Sequence, residues 1–181
     1  MIGYIKGYIK YKGRGYIVVG LNSVGYKVEV VRSIFLKDQQ SEIEVFIYPD
    51  LTERGTRLFG FESPQEVFLF ERLKAINGVG PRAALNIVSS ADYDSLSDVF
   101  DRGDVSFLSS IPGIGKKTAE RIIFDLKGKI DIEDDMNKDI RDTLLKLGYS
   151  KKEISSIYSK IKDIESVEDA IKEALKLLSK G

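Results

Sequence analysis

The stretch LKAINGVGPRAA, residues 73–84, recurs 35 positions later as LSSIPGIGKKTA, residues 108–119. In each copy an apolar helical segment leads into a Gly-x-Gly turn, and a second helix follows that opens with cations and small residues. Because glycine lacks a Cβ atom, its backbone can adopt positive φ angles and approach a ligand closely. One such turn is typical of any tight loop, whereas two copies with matching flanks predict a repeated binding element.

The beginning of the second helix in each copy is a predicted phosphate site. The first N–H groups of a helix lack intrahelical partners and lie at the positive end of its dipole, so they favour an anion. This is the helix-hairpin-helix pattern of proteins that hold the DNA backbone without reading bases. The residues predicted to bind that backbone are Asn77, Gly78, Gly80 and Arg82 in the first copy, and Gly113, Gly115, Lys116, Lys117, Thr118 and Arg121 in the second.

The repeat lies within a helical region, residues 63–130, which is predicted to be a tandem helix-hairpin-helix domain. Ser63-Pro64 can start its first helix, and the apolar residues up to Ile76 have helical period. Further helices are expected at residues 82–89, 95–101, 105–109 and 116–129.

Residues 1–62 have the pattern of a small β-barrel. Short runs rich in Ile, Val, Tyr and Phe, broken by glycines, predict strands at residues 2–10, 16–21, 25–31, 42–48 and 56–61. Five short strands favour a Greek-key barrel of the OB type, with an SH3-like barrel as the structural alternative. The whole is then a multidomain protein in which a β domain precedes α domains.

The last part of the chain is predicted to form a small three-helix, UBA-like bundle at residues 137–181, after an acidic flexible linker at 131–136. A domain of this size has a marginal core, so docking to a partner is the role expected for it. Its three helices are indicated by apolar residues at helical spacing: Ile140, Leu144 and Leu147, then Ile154, Ile157 and Ile161, then Val167, Ile171, Leu175 and Leu178.

Composition excludes several kinds of chemistry. The chain has no cysteine and no histidine, so thiolate, imidazole and Cys/His zinc mechanisms are ruled out, and we expect no catalytic residue, metal or cofactor.

Around Lys116 the residues resemble a nucleotide-binding loop, but Lys117 stands where Ser or Thr is required, so ATPase activity is not expected. Basic and acidic residues balance at 28 each, and no apolar stretch suits a membrane span, which predicts a cytoplasmic protein.

Taken in order, these parts resemble the RuvA family of Holliday-junction branch-migration proteins over nearly the whole chain. The resemblance rests on Met1-Ile2-Gly3, on Gly25-Tyr26-Lys27-Val28, on Leu58-Phe59-Gly60-Phe61, on Asn77-Gly78-Val79-Gly80-Pro81, on residues 108–121 and on residues 144–149.

The resemblance implies a homotetramer whose central OB barrels and paired hairpins hold the four arms of a DNA junction open, with one tetramer or two (an octamer) on the DNA. It also implies a mobile C-terminal domain that contacts the RuvB ATPase hexamer through Leu144, Leu147, Gly148 and Tyr149, and a shared complex with the RuvC resolvase. The RuvB partner would hydrolyse ATP, while this chain supplies geometry in recombination, DNA repair and the SOS response.

The family also places a pin of two adjacent carboxylates near the crossover of the junction. Counted back from Gly60, the first pin acid corresponds to Glu53, but Arg54 stands in place of the second. Glu53 is therefore the expected pin residue, with Asp50 as the alternative source of a second acid.

Two other functions are compatible with parts of this pattern. Helix-hairpin-helix elements also occur in DNA repair glycosylases and nucleases. An OB barrel can bind single strands by stacking bases on aromatic side chains, for which Tyr4, Tyr8, Tyr11, Tyr16 and Phe46 are available, although half of such residues would fill the barrel.

Overall fold

The computed structural model describes residues 1–53, 55–128, 140, 143–150, 153–154, 157, 160–161, 164 and 166–178. The chain divides into two compact units, residues 1–130 and 131–181. The boundary at residue 62 within the first unit stays a prediction, and the predicted linker lies outside the described residues.

A closed barrel occupies the first third of the chain. Its strands are β1 (Tyr4–Lys12), β2 (Ile17–Leu21), β3 (Val24–Val30), β4 (Glu42–Thr52) and β5 (Gly55–Phe61). They follow the order β1-β2-β3-β5-β4 around the barrel, and β4 closes on β1. The pairs are antiparallel except β3 and β5, which are parallel. This arrangement confirms the OB-type barrel over the SH3-like alternative.

All the predicted strands are present, but two features of the barrel were not foreseen. β4 continues past Tyr48 to Thr52, where it pairs with Gly55, so most of the expected loop at residues 50–55 is a β-hairpin. Pro49 lies within β4 opposite Leu58, although proline lacks a ladder donor. A helix, α1 (Arg32–Leu36), joins β3 to β4, and its five residues are too few to show a helical period.

Five more helices complete the described part of the first unit: α2 (Pro64–Ala75), α3 (Pro81–Val88), α4 (Tyr93–Arg102), α5 (Val105–Ser110) and α6 (Lys116–Leu126). The four helices expected after residue 80 are present within a few residues of their predicted bounds. The prediction that the last of them reaches Lys129 is wrong, because α6 ends at Leu126 and Gly128 has a φ of +69°.

Helix α2 is joined to the barrel by an aromatic cluster. Phe70 on α2 is fully buried. The centroid of its ring lies 4.9 Å from the ring centroid of Phe59, 5.0 Å from that of Phe61 and 5.2 Å from that of Tyr48. Aromatic pairs at these separations stabilise packing beyond their buried area. The barrel therefore fixes the helix that leads into the first hairpin.

The second unit has a helical core, as predicted. A positive φ of +95° at Gly148 and a hydrogen bond from the Tyr149 N–H to the Leu144 carbonyl end its first helical segment, and a helix at Val167–Leu178 closes the chain. Its buried residues are Ile140, Leu144, Ile154, Ile157, Ile161, Ala170 and Ala174. No helix among the described residues is long and apolar enough to cross a membrane.

Gly60 on β5 is closely surrounded by core side chains of the barrel, and it provides a test of this packing. A Cβ atom there would lie 2.5 Å from a methyl carbon of Val45 and 2.8 Å from one of Val28. Because overpacking of a core forces neighbours to shift, we expect Gly60→Ala to lower the free energy of unfolding by about 1–3 kcal/mol, measured by urea denaturation. Gly3→Ala is the control, since nothing lies within 4 Å of that position; equal effects of the two changes would contradict this packing.

Candidate nucleic-acid interface

The two hairpin turns have the same backbone geometry. Gly78 and Gly113 both have a φ of +92°, and the helix N-caps that follow, Gly80 and Gly115, have φ values of −78° and −84°. The repeat in the sequence is thus a repeat in the structure. Positive φ is required only at the first glycine of each turn, whereas the sequence pattern suggested it for both.

Buried aliphatic side chains anchor each turn. Ile76 and Val79 in the first turn are 7% and 5% exposed, and Ile111 and Ile114 in the second are 6% and 5% exposed. The Val79 N–H donates to the Ile76 carbonyl, and the Ile114 N–H donates to the Ile111 carbonyl, both at 3.0 Å. The apolar residues therefore face the core while the glycines between them face solvent.

The helices that follow the turns begin without a side-chain cap, unlike their neighbours. Ser63, Asp92 and Asp104 accept hydrogen bonds from the first turns of α2, α4 and α5. No side chain does so at Gly80 or Gly115, which precede α3 and α6. The first N–H groups of α3 and α6 are consequently available to an external acceptor, and the helix dipole makes an anion the favoured one.

Open space surrounds these N-caps. A Cβ atom added at Gly80 or Gly115 would meet no heavy atom within 4 Å, and their backbone angles suit any residue. The free protein therefore does not itself require glycine at either position. A methyl group at either position would occupy the open space beside the first N–H groups of the helix.

A groove of about 330 Å³ brings residues of both copies together. It is lined by Asn77 and Gly78 from the first turn and by Lys117, Thr118 and Arg121 from α6. The other residues predicted to bind DNA are exposed on the same turns and helix starts but do not line the groove: Gly80, Arg82, Gly113, Gly115 and Lys116. The sequence thus predicted residues that lie on these turns and helix starts, and the structure shows which of them converge on the groove.

The cations of this surface are free to attract an anion. Within the described part of the chain, Arg82, Lys116 and Lys117 are exposed and form no ion pair. Arg121 is also exposed and uses Nη1 to donate to the Asn77 carbonyl at 3.3 Å. A guanidinium has further N–H donors, so this bond leaves others for a ligand.

The β4–β5 hairpin places the two candidate pin acids in different environments. Glu53 is exposed in the turn at its tip, while Arg54 lies outside the described residues. Asp50, four per cent exposed, pairs instead with Lys74 of α2. The carboxylate of Asp50 is thus committed within the protein, which argues against the alternative role considered for it.

Lys74 is a residue whose importance the sequence did not show. Its ammonium donates to Asp50 and, at 3.5 Å, to the Tyr48 hydroxyl. Partial burial lowers the pKa of Lys74, but the bond to Asp50 and the charge of that carboxylate outweigh burial, so the pKa lies above its ordinary value. Lys74 therefore remains charged and ties the β4–β5 hairpin to α2, the helix that precedes the first Gly-x-Gly turn.

In the second unit, the predicted partner-binding residues differ in exposure. Leu144 is fully buried and Tyr149 is half-buried against the core, so both contribute to packing. Leu147 is 56% exposed and Gly148 is exposed beside it. Of the four predicted residues, Leu147 and Gly148 are therefore the exposed ones.

An OB-type barrel followed by paired, uncapped hairpins defines a DNA-backbone-binding protein of the tandem helix-hairpin-helix class. Three family models match the chain in sequence order: "RuvA N terminal domain" at residues 1–60, "SAM-like Helix-hairpin-helix tandem" at 70–129 and "RuvA, C-terminal domain" at 135–179.

Full-length relatives agree with these models. The chain is 40% identical over 190 residues to the "Holliday junction branch migration complex subunit RuvA" of Thermoanaerobacter sp. (strain X514), covering 99% of this chain and all of the relative. Proteins of the same name from Halothermothrix orenii and Limosilactobacillus fermentum are 40% and 35% identical, covering 100% and 99% of this chain and all of each relative. The chain belongs to the RuvA family.

The Asp50–Lys74 pair yields a stability prediction. Lys74→Met leaves a buried carboxylate without its partner, so we expect the free energy of unfolding to fall by about 1–3 kcal/mol in urea denaturation. Lys6→Met removes an ion pair whose side chains are 53% and 56% exposed, so its effect on the free energy of unfolding should be clearly smaller. A loss for Lys74→Met no larger than that for Lys6→Met would show that the buried pair does not hold the hairpin.

Proposed function

We propose that this chain is a non-catalytic DNA-binding subunit that holds four-way junctions and delivers them to an ATP-driven branch-migration motor. The observation that carries this proposal is the pair of equivalent turns, each leading into an uncapped helix N-terminus beside exposed cations. The names of the full-length relatives support the junction as the substrate. Under this proposal the protein acts in recombination and DNA repair in the cytoplasm.

Phosphate groups are the part of DNA that this chemistry recognises. Backbone N–H groups and flexible cations bind phosphate oxygens without distinguishing bases, so affinity depends on salt rather than on sequence. A junction migrates through changing sequences, and a subunit that guides it must tolerate all of them. The hairpins satisfy that requirement.

Junction geometry requires several copies of this surface. We infer a homotetramer, with one tetramer or two on the DNA, since four identical subunits match four arms. Glu53, exposed at the tip of the β4–β5 hairpin, is the residue we assign as the pin, where its charge would repel phosphates at the crossover.

We assign contact with the RuvB motor to the second unit. Its separate core supports a docking module, and Leu147 and Gly148 are the exposed residues we assign to contact with RuvB. RuvB would hydrolyse the ATP, and RuvC would share the complex.

The junction-binding proposal is tested by competition. Labelled four-way junction is displaced with unlabelled junction, linear duplex or single strand of equal length at fixed salt, with magnesium present in a parallel incubation. We expect junction to compete best and no strand to be cut. Preference for single strand would favour the OB-type alternative, and protein-dependent cleavage would favour a repair enzyme.

Lys117→Glu should weaken junction binding and reduce the slope of log affinity against log salt by about 1, because one phosphate contact is lost. The control is Lys146→Glu, the same charge change at an exposed position in the second unit. If both variants bind the junction equally well, Lys117 is not part of the interface.

Removal of residues 137–181 should leave junction affinity within about twofold of the full chain while abolishing stimulation of RuvB, because the deleted residues belong to the second unit. Branch migration assayed with purified RuvB measures the second effect. If the shortened chain supports branch migration as well as the full chain does, the second unit is not the part that contacts RuvB.

A further inference from the structure

Two hydrogen bonds join the hairpins to each other. Asn86 on α3 donates through Nδ2 to the Pro112 carbonyl in the second turn at 3.0 Å, and Arg121 on α6 donates through Nη1 to the Asn77 carbonyl in the first turn at 3.3 Å. The two donors are 35 positions apart in the chain, and so are the two acceptors. Each copy therefore donates the equivalent hydrogen bond to the turn of the other copy.

Both acceptors occupy a critical place in their turns. Asn77 and Pro112 each precede the glycine with φ of +92°, at the residue where the chain reverses toward the phosphate-binding helix. The second turn also approaches the opposite copy closely, since a Cβ atom at Gly113 would lie 3.9 Å from that of Ala83 on α3. The second helix of each copy thus fixes the position of the turn in the other copy.

A fixed spacing matters because the two turns act on one continuous DNA backbone. When one site is bound, the second binds at an effective concentration set by how rigidly the two are connected. If the two turns can move relative to each other, that conformational freedom is lost when both bind DNA, and the lost entropy reduces affinity.

We propose that Asn86 is a positioning residue that sets the spacing of the two phosphate-binding turns by holding the Pro112 carbonyl, and that Arg121 does the same for the first turn in addition to facing the groove. This inference rests on the proposed function. It assigns to Asn86, which the DNA-binding motif does not include, a share of affinity that needs no contact with DNA.

The test measures junction affinity for Asn86→Ala in three backgrounds: the otherwise unchanged chain, Gly80→Ala and Gly115→Ala. In the unchanged chain we expect roughly a two- to tenfold loss, the value of one neutral hydrogen bond. In either glycine variant one turn is disabled, so the spacing no longer matters and Asn86→Ala should have no further effect. Asn86→Gln, which keeps an amide donor, should restore binding in the unchanged chain, and Gln65→Ala, on exposed α2 surface, is the neutral control.

Each outcome separates this inference from the proposed function. If the unchanged chain does not prefer a junction, the proposed function fails. If it does, but Asn86→Ala binds equally well or loses the same factor in all three backgrounds, then Asn86 has no role in spacing and the inference is overturned.

Discussion

The central constraint in this molecule is a reversal of the chain between two helices within five residues, made twice with a glycine at φ of +92°. That conformation is costly for any residue with a side chain, so Gly78 and Gly113 decide where the turns form. Once they are placed, the flanking aliphatic residues insert into the core and the next helix begins with exposed N–H groups. The proposed phosphate sites are thus a consequence of how the chain turns.

The barrel holds this arrangement in place through its contacts with α2. Phe70 inserts α2 against two barrel phenylalanines, and Lys74, one turn later, binds Asp50 on the β4–β5 hairpin. One helix therefore connects the first DNA-binding turn to the tip that carries Glu53. Because both contacts are made by α2, movement of the β4–β5 hairpin relative to this helix would require the Asp50–Lys74 ion pair to break.

Much of this was predictable because the main signals are local: glycine pairs, strand alternation and helical period each act over a few residues. Contacts between distant residues were not. In the sequence, Asp50 has the pattern of an exposed loop acid, and only the structure places Lys74 beside it. Asn86 lies outside the repeated motif, and only the structure shows that it donates to the Pro112 carbonyl. The short helix α1 was missed because tertiary context, not its own sequence pattern, decides whether one turn forms.

The claim that uncapped helix N-termini hold the DNA backbone is tested most directly by the double variant Gly80→Ala, Gly115→Ala. Its methyl groups meet nothing in the free protein, so the only expected cost is the poorer N-cap preference of alanine, and the free energy of unfolding should fall by no more than about 2 kcal/mol. Affinity for a four-way junction should fall by at least about tenfold, since the methyl groups occupy the approach of the phosphates. Unchanged affinity in the folded variant would contradict the account.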